Sequence, residues 1–188
     1  MIAPVRFLYV CGPSGAGKSS VGYEIFRQLV EEGRTAAYLD FDQIGLCRPA
    51  PADDPDNLRM SAANLAVVWP NFRARGVQCL VTSGIVHTNA QIRAYADAVP
   101  DGTMTVCRLR AGRNVLRERI LLRGSGGGPL VPGDELRGRP TQALLVAAED
   151  SATEAAEMDR NELGDFCIDT DAHAVDEVAR LVRAQAGM

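Results

Sequence analysis

Lysine is almost missing from this sequence. Its 188 residues hold nineteen arginines but one lysine, Lys18, so guanidinium carries the basic chemistry everywhere except there. Positive charge is in deficit too: the formal net charge is −4 at pH 7, which argues against a protein that binds nucleic acid or a membrane surface electrostatically. No apolar run approaches the ~20 residues of a membrane-spanning helix. The opening stretch, MIAPVRFLYVCG, lacks a basic segment ahead of its short apolar run. It does not read as a signal peptide, and a cytoplasmic protein is expected. The five cysteines, Cys11, Cys47, Cys79, Cys107 and Cys167, form no C-x-x-C pair, and no histidine stands at zinc-ligand spacing from them. Four lie in apolar runs and are expected to be small buried hydrophobes. Cys47, in a predicted loop, is the one to test for reactivity.

What is present suits a single domain over residues 1–188. With 46% apolar and 23% charged residues, the chain can bury a real core without disulfide or metal staples. Short apolar runs alternate with helical stretches. Strands are predicted at VRFLYVC (5–11), TAAYLDF (35–41), VQCLVTS (77–83), MTVCRLR (104–110) and DFCIDT (165–170). Between them helices are predicted at about 19–32, 58–72, 88–98, up to Arg123 and up to Asn161, with a last one carrying Val175, Val178 and Val182. Pro70 should kink or divide the second. This alternation predicts an α/β fold, with right-handed crossovers linking the strands of a parallel sheet between helical layers. Two loops stand out. GSGGGPLVPGDELRG (124–138) is long enough to be a lid, and the segment at about 45–60, GLCRPAPADDPDNLR, is expected to form a flap.

The lone lysine sits in GPSGAGKS, residues 12–19, which matches G-x-x-x-x-G-K-[ST] at every fixed position between a predicted strand and a predicted helix. Each residue type has a reason to be there. Glycines let successive N–H groups converge on phosphate oxygens, and the helix N-terminus adds partial positive charge. Gly12, Pro13, Ser14, Gly15, Ala16, Gly17, Lys18, Ser19 and Ser20 are therefore the expected nucleotide cradle. Lys18 should bridge the β- and γ-phosphates of ATP, and Ser19 should offer its hydroxyl to Mg²⁺. A compact ammonium on a flexible stem suits this cradle better than a broad guanidinium fork.

The same scarcity excludes a class. Ras-like GTPases read guanine with N-K-x-D, and no second lysine exists to supply that motif. The chain's length and the lack of further ATPase signatures count against a motor or transporter ATPase. VTSGIVHT, at the end of the third strand, lacks the acidic residue common to Walker B motifs. A small phosphotransferase is the leading class.

Gly12–Ser19, LDFD at the end of the second strand and LRERILLRG before the Gly/Pro-rich loop together resemble the small P-loop kinases. That group includes gluconate kinase, shikimate kinase, adenylylsulfate kinase and chloramphenicol phosphotransferase. The resemblance implies a five-stranded parallel sheet of order 2-3-1-4-5, a mobile lid, and transfer of the ATP γ-phosphate to a small-molecule acceptor. It also implies that a carboxylate of LDFD takes the proton of the acceptor hydroxyl. Asp42 is favoured as that base, with Asp40 beside it on the same face of an extended strand end as a supporting or metal-water contact; the alternative is a pair of solvated carboxylates at a strand end, or a helix cap. Arg119 and Arg123, at i and i+4, would close over ATP, one near the adenine or α-phosphate and the other on the moving phosphoryl group. Ser83 and Gly84 should border the acceptor pocket.

Other residues stay open at this stage. Arg48 and Arg59 suit an anionic acceptor, whereas Asp53, Asp54 and Asp56 suit a cationic one. His87 reads as an exposed loop histidine with no role, a contact to substrate being the alternative, and the acidic helix at 149–162 as a solvated face. A kinase directed at a hydroxyl of a small metabolite or natural product, antibiotics included, leads. A nucleotide kinase and a non-catalytic ATP-binding regulator are the alternatives.

Overall fold

The computed structural model describes residues 4–128 and 134–188. Its centre is β1 (Val5–Cys11), apolar on both faces: Phe7, Tyr9 and Cys11 pack into one core and Leu8 and Val10 into the other. Strand β3 (Cys79–Ser83) lies on one side of it and β4 (Gly102–Arg110) on the other, while β2 (Ala36–Asp40) and β5 (Phe166–Asp169) form the edges. All neighbours pair in parallel, in the order β2-β3-β1-β4-β5. This is the α/β architecture and strand order that the resemblance implied.

Helices cover both faces. On one, α1 (Lys18–Glu31) buries Val21, Ile25 and Leu29 beside Val178, Ala179 and Val182 of α7 (Val175–Gln185). On the other, α3 (Leu58–Ala74) buries Leu58, Leu65 and Trp69, and α4 (Asn89–Asp97) buries Tyr95. Thr88 and Gln91 cap α4 reciprocally, each side chain accepting from the other's backbone N–H. A smaller core of Ile120, Leu144 and Ala148 joins α5 (Arg113–Gly124) to α6 (Thr141–Arg160).

Three details depart from the sequence reading. Helix α3 runs through Pro70 undivided. The proline is on an exposed face, where the carbonyl it deprives of a partner can meet water. Cys167 is exposed rather than buried, because β5 is an edge strand whose alternate residues face outward. Cys11, Cys79 and Cys107 are buried as expected, and Cys47 is exposed. Finally, β2 stops at Asp40, and Phe41–Ile44 turn into a short helix, α2.

Candidate active site

The link from β1 to α1 bends through Gly12, Gly15 and Gly17, all at positive φ. Gly12 has φ 149°, and a Cβ there would lie 2.6 Å from the Leu109 carbonyl oxygen of the neighbouring strand. Gly17, at φ 97°, caps α1 in the left-handed conformation and offers no side chain to its first turn. No acidic residue occupies that turn either, so its N–H groups are left for an anion. Lys18 opens the helix and donates from Nζ to the Pro13 carbonyl at 3.1 Å, which folds the side chain back over the loop.

Above this loop lies a cavity of about 630 Å³. Ser14, Gly15, Ala16, Gly17, Lys18, Ser19 and Ser20 line it, whereas Gly12 and Pro13 are buried beneath as support. Strand order fixes what stands to either side. The loop follows the central strand, so the C-terminal ends of β2 and β5 flank it from opposite edges of the sheet. Asp40 and Asp42 enter from the β2 side, and Thr170, His173, Val175 and Val178 from the β5 side.

Asp40 and Asp42 do not share the face of an extended strand. The chain turns at Asp40, whose side chain caps α2 by accepting from the Asp42 N–H at 3.0 Å. Asp40 also accepts from Ser83 Oγ at 3.0 Å and from the Tyr38 hydroxyl at 3.3 Å. Asp42 is left facing the cavity. Although its surface opens onto that space, protein surrounds it, and this burial pushes its carboxyl above the ordinary aspartate value. Lys18 and the Ile85 N–H pull the other way, and the charge of Asp40 adds to the upward shift.

The position of Asp42 depends on its neighbour in sequence. Phe41 is buried, stacks on Tyr95 with ring centroids 4.0 Å apart, and meets Tyr9 edge-on at 5.2 Å. The Tyr9 hydroxyl in turn donates to the Ile85 carbonyl at 2.8 Å. Gly84 gives Phe41 its room, since a Cβ at Gly84 would lie 2.9 Å from the Phe41 Cβ. Ser83 and Gly84 were expected to border the acceptor pocket. Both are buried below its wall, where Ser83 holds Asp40 and Gly84 admits Phe41, and Ile85 is the residue that reaches the cavity.

Arg119 and Arg123 both line the cavity from α5. Arg119 is stitched to two loops at once: Nη1 donates to Thr170 Oγ1 at 2.9 Å and to the Gly15 carbonyl at 3.3 Å, and Nη2 donates to the Thr170 carbonyl at 2.9 Å. Arg123 forks onto Asp134, with contacts of 2.9 and 3.2 Å. Within the expected lid, residues 129–133 lie outside the described residues. Its far end carries Glu135, which meets Arg48 of the flap at 3.3 Å.

Sequence reasoning missed Ser151 and Glu154, and it favoured no role for His87. The acidic helix is not wholly a solvated face. Ser151 is buried, and its Oγ donates to the Ser14 carbonyl at 2.6 Å. Glu154, one turn on, is turned inward; burial pushes its carboxyl up, against the pull of Lys18, His87 and the Ser14 N–H. The buried stripe Leu144, Ala148, Ser151, Met158 was the available signal, because it puts residue 154 on the inner side. His87 is no idle loop residue. Its Nε2 lies 3.1 Å from Asp56 Oδ2 of the flap and its Nδ1 3.7 Å from Glu154 Oε1. No cluster of three histidine, cysteine or acidic residues suited to a metal occurs among the described residues.

No protein-family model matches the sequence, and a search of curated proteins finds no match. Solved structures do match over the whole fold. The APS kinase of Mycobacterium tuberculosis, in complex with AMPPNP and APS, superposes with a TM-score of 0.61 at 18% identity, covering 99% of each chain. The tunicamycin resistance protein of Deinococcus radiodurans gives 0.61 at 18% identity over 98% of this chain and 96% of that one. A gluconokinase from Sinorhizobium meliloti gives 0.60 at 19% identity over 100% and 94%. At such identities the likeness is one of architecture, and the protein has the fold of the small P-loop kinases.

Proposed function

We propose that this protein is an ATP-dependent phosphotransferase that moves the γ-phosphate of ATP to a hydroxyl of a small molecule. The observation that carries the reading is that Lys18 and Asp42 face the same cavity, near enough for the lysine charge to oppose part of the effect of burial on the carboxylate. A phosphate-binding cation and a proton acceptor stand on either side of one space. The fold likeness supports it, and the APS kinase in question was solved with AMPPNP bound.

In this reading the N–H groups of the 12–20 loop hold the β- and γ-phosphates, and Lys18 neutralises the charge on their bridging region. Ser19 would hold Mg²⁺ through its hydroxyl, a hard oxygen ligand suited to an ion that keeps most of its coordination to phosphate and water. Bound with ATP, that ion supplies further neutralisation of the triphosphate. Asp42 accepts the proton of the acceptor hydroxyl as its oxygen bonds to the γ-phosphorus and the bond to the ADP oxygen breaks. Its raised proton affinity suits a base better than an ordinary surface aspartate would. Arg119, held by Thr170 and Gly15, fixes the β5 wall where Val175 and Val178 give an apolar surface for the base of the nucleotide. Arg123 is released to the phosphoryl group when it exchanges Asp134.

A nucleotide kinase fits less well. It needs arginines converging on an acceptor phosphate, and the flap's two are engaged: Arg59 with Asp53 at 2.7 Å and Arg48 with Glu135. The test is transfer of labelled γ-phosphate from ATP–Mg²⁺ to a panel of sugars, nucleosides, nucleotides and hydroxylated antibiotics. A labelled hydroxyl product that requires Asp42 is expected. A labelled phosphate acceptor would favour the nucleotide kinase. Tight ATP binding with no acceptor labelled, and no effect of Asp42→Asn, would favour a regulator.

A further inference from the structure

The acceptor side of the cavity has a charge balance that the sequence left undecided. Asp40, Asp42 and Asp56 all line it. Asp40 accepts from neutral groups, the Ser83 and Tyr38 hydroxyls and a backbone N–H, which hold its negative charge without cancelling it. Asp56 is a flap residue with its side chain 45% exposed, and its neighbour is an imidazole, His87, rather than a permanent cation. Behind His87 stands Glu154, whose Oε1 is buried without a hydrogen bond.

The positive charges nearby are committed. Of the flap's arginines, Arg48 reaches both the Glu135 carboxylate at 3.3 Å and the Cys47 carbonyl at 3.2 Å. Arg59 is bound to Asp53 at 2.7 Å and Asp54 at 3.7 Å, and it does not line the cavity. Lys18 belongs to the phosphates. Asp56 moreover raises the proton affinity of both Asp42 and Glu154, so its charge is felt at each of them. An acceptor bearing a carboxylate or phosphate would add to that repulsion, whereas one bearing an amine would relieve it.

We propose that the acceptor is a hydroxylated compound carrying a protonated amine, with Asp56 as the residue that selects for the cation. Asp42 receives the hydroxyl, and Asp56, across the mouth of the flap, receives the ammonium. His87 holds Asp56 from behind and ties it to α6. This rests on the phosphotransferase reading for the location of the acceptor, and the charge argument stands on the cavity lining itself.

The test uses triads of polyhydroxylated compounds that share a skeleton and differ in one substituent, such as glucosamine, glucose and glucuronate, with larger amino-cyclitol triads alongside. Turnover with ATP–Mg²⁺ is measured for wild type and Asp56→Asn, and binding of the same triads to AMPPNP-loaded protein is measured by calorimetry. We expect the amine member to lead its triads by about tenfold or more in kcat/KM or in affinity. Asp56→Asn, a near-isosteric change at an exposed position, should remove most of that lead while leaving the KM for ATP unchanged. Preference for the neutral or carboxylate member, or an amine preference that survives Asp56→Asn, overturns the proposal. Amine-selective binding without any phosphate transfer overturns the phosphotransferase reading and supports the cation site. Absence of both turnover and binding across all triads overturns the cation site.

Discussion

The Ser151 hydroxyl of α6 donates to the Ser14 carbonyl of the phosphate loop at 2.6 Å, joining two segments 137 residues apart in sequence. Ser151 is only 2% exposed, so water does not readily replace it. Ser151→Ala should leave the carbonyl short of a partner and loosen the loop from behind. The expected result is a loss of about 1 kcal/mol of stability and a several-fold rise in the KM for ATP, read from thermal unfolding and steady-state kinetics.

Asp42 makes opposite demands on activity and stability. Its carboxyl is raised by burial, so the native state holds its proton more tightly than the unfolded chain does. Above the native value this penalises the fold; below the unfolded value the penalty is gone. Asp42→Asn should therefore be more stable than wild type at neutral pH, with the difference vanishing as the pH falls below the ordinary aspartate range. The same variant should lose about a hundredfold or more in kcat with ATP affinity largely kept. In wild type, the acid limb of kcat/KM should lie above the ordinary aspartate value. A variant less stable than wild type at neutral pH would contradict the sign.

Lys18→Arg tests the single ammonium. The cradle is closed by the Pro13 carbonyl, 3.1 Å from Nζ, and a planar fork cannot take that position without displacing the phosphates. A drop in kcat/KM of about a hundredfold or more is expected, with little change in unfolding temperature.

Gly84→Ala tests whether Asp42 is positioned through Phe41. The new methyl would press on the Phe41 Cβ from 2.9 Å, so the ring must shift against Tyr95 and Tyr9 and take α2 with it. We expect destabilisation of about 1–3 kcal/mol. The kcat should fall while the KM for ATP stays near wild type, because the atoms nearest the new methyl all belong to Phe41 rather than to the 12–20 loop. A loss of ATP affinity equal to the loss of kcat would mean that the effect is not carried through α2.

Much of this molecule is legible from local pattern. The five strands are short apolar runs separated by amphipathic stretches, and the phosphate loop is a contiguous motif whose spacing carries its chemistry. What escaped is where distant segments meet. Residues 149–162 look solvated because acids dominate them, yet the stripe through Ser151 and Met158 turns Glu154 toward the phosphate loop. Asp40 and Asp42 look like partners on a strand because alternation was extended two residues too far. An aspartate that can cap a helix ends a strand as readily as it continues one, and Phe41 gains more by entering the aromatic cluster than by prolonging β2. Ser83 and Gly84 follow the same lesson: a strand end near a site can serve by supporting the residues that reach it.

The flap is framed at its two ends with little give. A Cβ on Gly45 would fall 2.0 Å from Ser61 Oγ, and Asn57, buried and left-handed at φ 52°, donates from Nδ2 to the Cys47 carbonyl at 2.9 Å. Asp54 then caps the next helix through the Leu58 and Arg59 N–H groups. Between those fixed posts, Leu46, Arg48 and Asp56 line the cavity that Asp42 also faces. On the proposed reading these residues help to choose the acceptor, and a graft between Gly45 and Asn57 is expected to change what the protein selects while the nucleotide half of the cleft stays as it is.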